Sequence, residues 1–320
     1  MANIAIVNYC NLRCPYCFAD DMIKNNNLTM SLEDYTKLLD FILKNPMDKI
    51  GIIGGEPTLH PQLLEILKLT KEKCNQAGNK QLPILFTNGI ELQPFLPYLK
   101  DFNVLLNYND PSRMTSIQKT KLFATLEEIN KLGYFNNTLF LGCNIHLGCS
   151  NYDYIWDMVE KYSLKVIRCS VVSPGGIYGE WKTKKHEYFN LLKPVFLDFC
   201  QRAKELNCKL NMDCSYIPLC YFSEDEKKLV NDVSERVKEC NILCQSVVDF
   251  TTDLKVTSCF GSYNPIDFDK FSNTNSLKMY LFEKYNKKLA KANNQGKCET
   301  CQLHQEGKCQ GGCLAFAGPV

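Results

Sequence analysis

The stretch Asn3-Ile-Ala-Ile-Val-Asn8-Tyr-Cys10-Asn-Leu-Arg-Cys14-Pro-Tyr-Cys17 sets the reading of the whole chain. Residues 3–8 form a short apolar run closed by a polar residue, the pattern of a buried strand. The next nine residues place three thiols in one loop, at steps of four and three. A strand that empties into a loop dense in reactive side chains is what a β/α repeat offers at the carboxyl ends of its strands.

The rest of the chain repeats that alternation. A helix is predicted over about 31–45, with Ser31 as N-cap and Leu32, Tyr35, Leu38, Leu39 and Ile42 recurring at helical spacing. Lys49-Ile-Gly-Ile-Ile-Gly-Gly55 reads as a strand, followed by a helix over about 61–77 and a strand over 82–87 closed by Asn88-Gly89. Strands at 103–107, 138–146 and 165–172 then alternate with helices at 115–132, 153–162 and about 184–206. Six β-then-α units imply an α/β fold with a parallel sheet and right-handed crossovers, either open or curled into part of a barrel. Asn8, Asn88, Asn107, Asn144 and Ser173 stand at strand ends, so one rim of the sheet is expected to hold the chemistry.

Of the 320 residues, 45% are hydrophobic and 22% charged, which excludes disorder as the main state. Thirty-seven basic against 35 acidic residues leave a net charge of +2, so no charge field marks a nucleic acid or an acidic membrane as partner. No apolar run approaches the roughly 20 residues that cross a bilayer. Met1–Cys10 lacks the basic start and cleavage site of a secretory signal. The outlier is cysteine, at 18 residues. Disulfide-dense proteins are small, secreted and loop-rich, whereas this chain is long and core-forming. Metal ligation in a reducing cytoplasm is the reading that follows.

After about residue 208 the rhythm is expected to fail, as Cys208, Cys214, Cys220, Cys240, Cys244 and Cys259 accumulate and the tail from Lys297 turns rich in Gly and Cys. Two domains are therefore expected, over 1–207 and 208–320, the second a small one held by metal. In the first, Cys10, Cys14 and Cys17 have no fourth cysteine nearby with which to close a tetrahedral zinc site. They suit a four-iron cube in which three irons carry cysteine and the fourth is open. Zinc with a distant fourth ligand is the competing reading.

The Cys-x3-Cys-x2-Cys loop after the first strand, with Tyr16 before its third cysteine, resembles the radical S-adenosylmethionine (radical SAM) superfamily. Gly54-Gly55-Glu56-Pro57, at the end of the second strand, is similar to that family's GGEP segment. The resemblance covers roughly residues 1–200 and implies a partial (β/α)6 TIM-like barrel. It implies that Cys10, Cys14 and Cys17 hold a 4Fe-4S cluster with an open iron, and that Gly54, Gly55, Glu56 and Pro57 hold S-adenosyl-L-methionine by its methionine ammonium. Tyr16 would lie beside the adenine. By position, Asn107 or Asn109 would contact ribose and methionine groups, Asn144 the adenosyl portion and Arg168 the methionine carboxylate.

Cys298-x2-Cys301-x7-Cys309-x3-Cys313 resembles the SPASM extension that carries auxiliary iron–sulfur clusters, and Cys244-x14-Cys259 resembles its opening pair. Leu254 stands where that family has glycine, and seven residues rather than the usual five or so separate Cys301 from Cys309. Mapped by the resemblance, one complete cluster would use Cys240, Cys244, Cys259 and Cys313. A second would use Cys298, Cys301 and Cys309 with a non-cysteine or vacant fourth site. A single twitch-type cluster on Cys244, Cys259, Cys298 and Cys301 is an alternative, and a zinc ribbon on the last four cysteines another.

The function implied is reductive cleavage of S-adenosylmethionine to methionine and a 5′-deoxyadenosyl radical, which abstracts a substrate hydrogen, with flavodoxin or ferredoxin as one-electron reductant. A ribosomally made peptide is the expected substrate, modified by crosslink, thioether or epimerisation. The first strand begins near residue 3, so a separate leader-binding protein or direct docking is expected for such a peptide. A small-molecule radical dehydrogenase, for instance of a sugar alcohol, and a non-catalytic iron–sulfur electron carrier are the alternatives. Cys169, Cys214 and Asp213 are candidate hydrogen donors or base. Cys143 and Cys220 read as packing or donor residues, with Cys220 also an extra cluster ligand candidate. His60 is expected to cap the next helix, and His146 to face the active rim.

Overall fold

A computed structural model describes residues 1–17, 27–172, 181, 184–213, 217–234, 244, 247–262, 264–294 and 296–317. It falls into two compact units. One comprises Met1–Arg13, Ala19–Phe140 and Ser246–Lys284, the other Cys14–Phe18, Leu141–Gln245 and Tyr285–Val320.

In the first unit the order is β1 (Ala2–Ala5), α1 (Leu32–Leu43), β2 (Ile50–Ile53), α2 (Leu63–Gln76), β3 (Ile84–Thr87), β4 (Asn103–Asn107) and α3 (Ser116–Lys131). The four strands are parallel neighbours, with Ala2 opposite Ile50, Gly51 opposite Ile84 and Ile84 opposite Asn103. Every residue of β1 is buried, as befits a parallel strand covered on both faces. Ser31 caps α1 by accepting from the Asp34 amide at 3.0 Å. Tyr35, Leu38, Leu39 and Ile42 line the buried face of α1, and the Tyr35 hydroxyl meets Thr70 Oγ1 of α2 at 2.6 Å. Pro94 and Pro97 lack the amide donors an α-helix needs, and the β3–β4 crossover is a 3₁₀ segment, Gln93–Tyr98.

After residue 208 the β/α rhythm does give way, yet the sheet goes on. On the other side of β1 the sheet continues through β8 (Val248–Phe250), parallel to β1 with Asn3 opposite Asp249, and through the antiparallel β9 (Lys255–Thr257) and β10 (Ile266–Asp267). The helix α7 (Thr274–Leu281) follows. These strands are two or three residues long, too short for a period to show in sequence.

In the second unit β5 (Leu139–Ile145, of which Leu141 onward belongs to this unit), α4 (Asp153–Lys161), β6 (Val166–Val171), α5 (Lys185–Glu205) and β7 (Lys209–Met212) keep the β/α order. Cys143 lies opposite Cys169, and Cys169 opposite Met212, both in parallel register. Trp156 of α4 packs on Phe199 of α5 at a ring separation of 4.4 Å. The helices α6 (Glu224–Val233), α8 (Lys287–Ala292) and α9 (Gln302–Gln305) complete the unit. Among the described residues no helix is long and apolar enough to cross a membrane.

Candidate active site

In the first unit, the chain beyond β1 runs alongside the segment beyond β2. The Gly55 amide donates to the Val7 carbonyl and the Glu56 amide to the Tyr9 carbonyl, each at 2.9 Å. A Cβ on Gly54 would stand 2.4 Å from the Val7 oxygen, and one on Gly55 2.1 Å from the Tyr9 oxygen. The close approach these glycines permit is therefore to the chain's own backbone, at the step that leads into Cys10.

Glu56 is 1% exposed, and its carboxylate bonds to the chain itself. Oε1 accepts from Thr58 N (3.1 Å), Thr58 Oγ1 (2.6 Å) and Thr87 Oγ1 (2.7 Å), and Oε2 from Asn88 N (2.7 Å). Burial pushes its carboxyl up and these donors oppose that. The side chain thus ties the GGEP segment to the turn after β3. That turn reaches Cys10, because Asn88 Nδ2 donates to Asn11 Oδ1 at 2.7 Å and lies 3.9 Å from Cys10 Sγ. The Leu12 amide points at the same sulfur, 3.4 Å away, and Gln118 Nε2 holds the Asn11 carbonyl at 2.7 Å. A thiol ringed by N–H donors suits a ligand that must be a thiolate, since such donors stabilise charge on sulfur. Asn109 Nδ2 donates to the Asn107 carbonyl at 2.9 Å, so those two candidates are one local unit. His60 does cap locally, accepting from Gln62 N at 3.0 Å.

Cys14 and Cys17 belong to the second unit, where the Cys17 amide closes a turn onto the Cys14 carbonyl at 3.1 Å. The Tyr16 ring packs on His146, centroids 4.6 Å apart. Burial, and then the Cys14 thiol, push the Tyr16 hydroxyl far up, so it stays a neutral donor. His146 is held in turn, its Nδ1 accepting from Gly148 N at 3.2 Å and its amide donating to the Tyr152 hydroxyl at 3.0 Å. On the neighbouring strand ends, Ser170 Oγ donates to Asn144 Oδ1 at 2.7 Å, and Arg168 pairs with Asp213.

Successive strand residues face opposite ways. Arg168 and Ser170 share one face with their partners Asp213 and Asn144, so Cys169 must point to the other. There its sulfur lies 3.1 Å from Met212 Sδ, fully buried, with its thiol pushed up by burial. As a hydrogen donor beside Asn144 and Arg168 the Cys169 assignment is corrected: strand alternation places it among packing residues. Asp213, expected as a base, is engaged with Arg168. Cys214 and Cys240 lie outside the described residues.

Among the auxiliary cysteines, Cys259 belongs to the first unit, where its sulfur accepts from Gly261 N at 3.3 Å. Cys244, Cys298, Cys301, Cys309 and Cys313 belong to the second. Gln310 accepts from the Cys244 amide, and Asn293 Nδ2 donates to the carbonyls of Gln310 (2.9 Å), Gly311 (3.2 Å) and Cys313 (3.4 Å). Beneath them lies Lys185, wholly buried. Sequence reading missed Asn293, Gln310 and Lys185, because an amide or lysine in a polar stretch reads as solvated surface.

Residues 4–118 match the family described as the Radical SAM superfamily. The chain is 37% identical over 114 residues to a probable GTP 3′,8-cyclase of Methanococcus aeolicus, covering 34% of this chain and 37% of that one. It is 27% identical over 286 residues to the GTP 3′,8-cyclase of Alkaliphilus oremlandii, covering 82% of each. It spans less than half the length of the first curated relatives it matches. The fold is shared with Streptococcus suis SuiB bound to S-adenosylmethionine, with a TM-score of 0.65 and 15% identity over 98% of this chain and 72% of that one. The sequence match to the radical SAM superfamily is carried by residues 4–118, and the likeness of fold extends over the rest of the chain. The α/β fold with its mostly parallel sheet is that of a partial TIM-like barrel followed by a cysteine-rich C-terminal region, and the family matched by residues 4–118 is one that binds a 4Fe-4S cluster and S-adenosylmethionine. The donor set fits the cluster, three thiols in one short loop leaving one iron open.

Proposed function

We propose that this radical SAM enzyme modifies a peptide, forming a crosslink, thioether or epimerised centre. The observation that carries the reading is the likeness of fold over 98% of the chain to SuiB, another structure of which holds the precursor peptide SuiA. The cysteine-rich segment packed around Asn293 supports it, as a built platform for an auxiliary cluster. A nucleotide substrate is the second reading, favoured by the GTP 3′,8-cyclase of Alkaliphilus oremlandii, which aligns over 82% of its length.

Cys10, Cys14 and Cys17 would hold the 4Fe-4S cluster, and the Gly54–Pro57 segment would hold the methionine end of S-adenosylmethionine. When bound and reduced, the pair supplies a 5′-deoxyadenosyl radical that takes a hydrogen atom from substrate. The chain's own part is placement. Glu56 fixes the GGEP backbone against the strand that leads to Cys10. Tyr16, backed by His146, would flank the adenine, with Asn144 and Ser170 at the adenosyl portion and Asn107 and Asn109 at ribose. Arg168 would meet the methionine carboxylate by exchanging part of its contact with Asp213 for it. Cys240, Cys244, Cys259, Cys298, Cys301, Cys309 and Cys313 would carry one or two auxiliary clusters in a domain over 208–320, in a cytoplasmic protein served by flavodoxin or ferredoxin and, for a leader peptide, by a separate binding protein.

The test is anaerobic turnover of the reconstituted chain with S-adenosylmethionine, dithionite and either short Cys- and Ser-containing peptides or GTP. Peptide-stimulated 5′-deoxyadenosine with a change in peptide mass or configuration supports the first reading. Stimulation by GTP alone, with cyclised nucleotide formed, would replace it by the second.

A further inference from the structure

The loop that leaves β1 is fastened from three directions, all within the first unit. Arg13 Nη1 turns back and donates to the carbonyls of Cys10 (2.8 Å) and Leu12 (2.9 Å). Gln118, in the first turn of α3, donates from Nε2 to the Asn11 carbonyl at 2.7 Å. Asn88, in the turn after β3, donates from Nδ2 to Asn11 Oδ1 at 2.7 Å. In the same loop the Leu12 amide faces Cys10 Sγ at 3.4 Å, and Asn88 Nδ2 lies 3.9 Å from that sulfur.

Backbone groups fix which way the side-chain amides in this set point. Asn88 Oδ1 accepts from the Ile90 amide at 3.0 Å, so its amino group must face Asn11. Gln118 Oε1 likewise accepts from the Thr115 amide at 2.9 Å, which turns its amino group toward the loop. Asn11 therefore presents its oxygen to Asn88, and its own amino group is the end that remains. Among the described residues, Asn11 Nδ2 is the one buried side-chain nitrogen without a hydrogen-bond partner. A buried N–H group left without an acceptor is costly, and in a folded protein it calls for a specific cause, a redox or catalytic role among them. The carbonyl oxygens nearest it in sequence, those of Cys10, Asn11 and Leu12, already have donors. The other acceptor that this loop offers is sulfur.

We propose that the Asn11 side-chain amide is a hydrogen-bond donor to a sulfur of the iron–sulfur cluster that Cys10 binds, and that Asn88 and Gln118 are the positioning residues that hold it there. The inference rests on reading Cys10, Cys14 and Cys17 as the ligands of a 4Fe-4S cluster. Reduction adds negative charge that the sulfurs share, so an N–H group aimed at one of them favours the reduced state and raises the reduction potential. Asn11 thereby governs how readily an external one-electron reductant charges the cluster.

The test uses the full chain, reconstituted anaerobically. Its readouts are iron and sulfide per chain, a redox titration followed by electron paramagnetic resonance, and electron–nuclear double resonance of the reduced cluster. The spectral component that Cys10→Ala removes identifies the cluster. Asn11→Asp keeps the oxygen that accepts from Asn88 and lacks the donor, while Asn11→Leu, of similar size, lacks both. Both variants should keep the iron and lose one exchangeable-proton coupling. At a fixed poise each should show about a tenfold smaller ratio of reduced to oxidised cluster, about 59 mV for one electron. A role confined to the Asn88 contact would instead leave Asn11→Asp with the potential and couplings of the parent. In the unaltered chain, isotope-labelled nitrogen in the asparagine side chains should add a weak coupling, a readout that stands even where a variant fails to take up iron. Absence of that coupling overturns the proposal, as do variants that keep the parent's potential and couplings. If Cys10→Ala leaves every component in place, the cluster assignment itself fails, and this proposal with it.

Discussion

The Arg168 guanidinium, within β6, and the Asp213 carboxylate, just beyond the neighbouring parallel strand β7, are partners in one ion pair. Each had a separate role on sequence, one toward the cofactor carboxylate and the other toward the substrate. Their pairing means that neither acts alone: Asp213 aims the guanidinium, and Arg168 holds the carboxylate in place. Both side chains are about a quarter to a third exposed, so the pair is worth about 1 kcal/mol or less to stability. The expected signature is coupling. Arg168→Met and Asp213→Asn should each weaken S-adenosylmethionine binding several-fold, and the double variant should lose less than the sum of the two. Additive losses, measured by calorimetry on reconstituted protein, would show that the pair does not work as a unit.

Glu56 and Gly55 set the frame of the GGEP segment. Gly55→Ala would drive a methyl into the Tyr9 carbonyl, and Glu56→Gln would turn one acceptor into a donor facing N–H and O–H groups. Each should cost about 2–4 kcal/mol of unfolding free energy, a methyl driven against backbone in one case and an unsatisfied buried donor in the other. Gly78→Ala is the comparison. Unlike Gly55 it has positive φ, +67°, but nothing lies within 4 Å, so its cost should be near 1 kcal/mol. Equal costs at Gly55 and Gly78 in denaturant titrations would contradict the clamp.

Leu254 has φ +62°, in the turn joining β8 to β9. A branched side chain there costs roughly 1–2 kcal/mol that glycine avoids. Leu254→Gly should raise stability by up to about 1 kcal/mol, after the glycine's own entropy loss. A fall in midpoint would show that the leucine's packing outweighs its strain.

Asp249 is buried on β8, accepting from Asn3 Nδ2 at 2.7 Å and Phe260 N at 3.1 Å, and burial raises its carboxyl from 3.8 to about 6. The folded state therefore holds this proton more tightly than the unfolded one. The stability it contributes is full below about pH 4 and is lost as the pH rises through about 6. A tenfold change in proton affinity is worth about 1.4 kcal/mol, so the loss comes to about 3 kcal/mol. The stability of Asp249→Asn relative to the parent should climb by that order between about pH 4 and pH 7. A pH-independent difference in urea titrations would refute the assignment.

Most of the β/α alternation, the Ser31 cap and the cysteine loop were legible because each has a local cause: apolar period, a side-chain acceptor, or thiol spacing. The glycine motif was legible as a motif, but its contact with Val7 and Tyr9 was not, since register between strands is a long-range property. The same holds for Arg168 and Asp213, 45 residues apart in sequence. Cys169 was misplaced because a cysteine on a strand does not announce which face it takes. Lys185, wholly buried against Cys298, broke the rule that lysine is surface, and only the fold shows what it touches.

The central claim is that Cys10, Cys14 and Cys17 make this chain a radical SAM enzyme, and the most direct test is 5′-deoxyadenosine formation by anaerobically reconstituted protein with dithionite. The parent chain should cleave S-adenosylmethionine, and the variant with all three cysteines replaced by alanine should produce none while retaining its auxiliary iron. Undiminished cleavage by that triple variant would contradict the account.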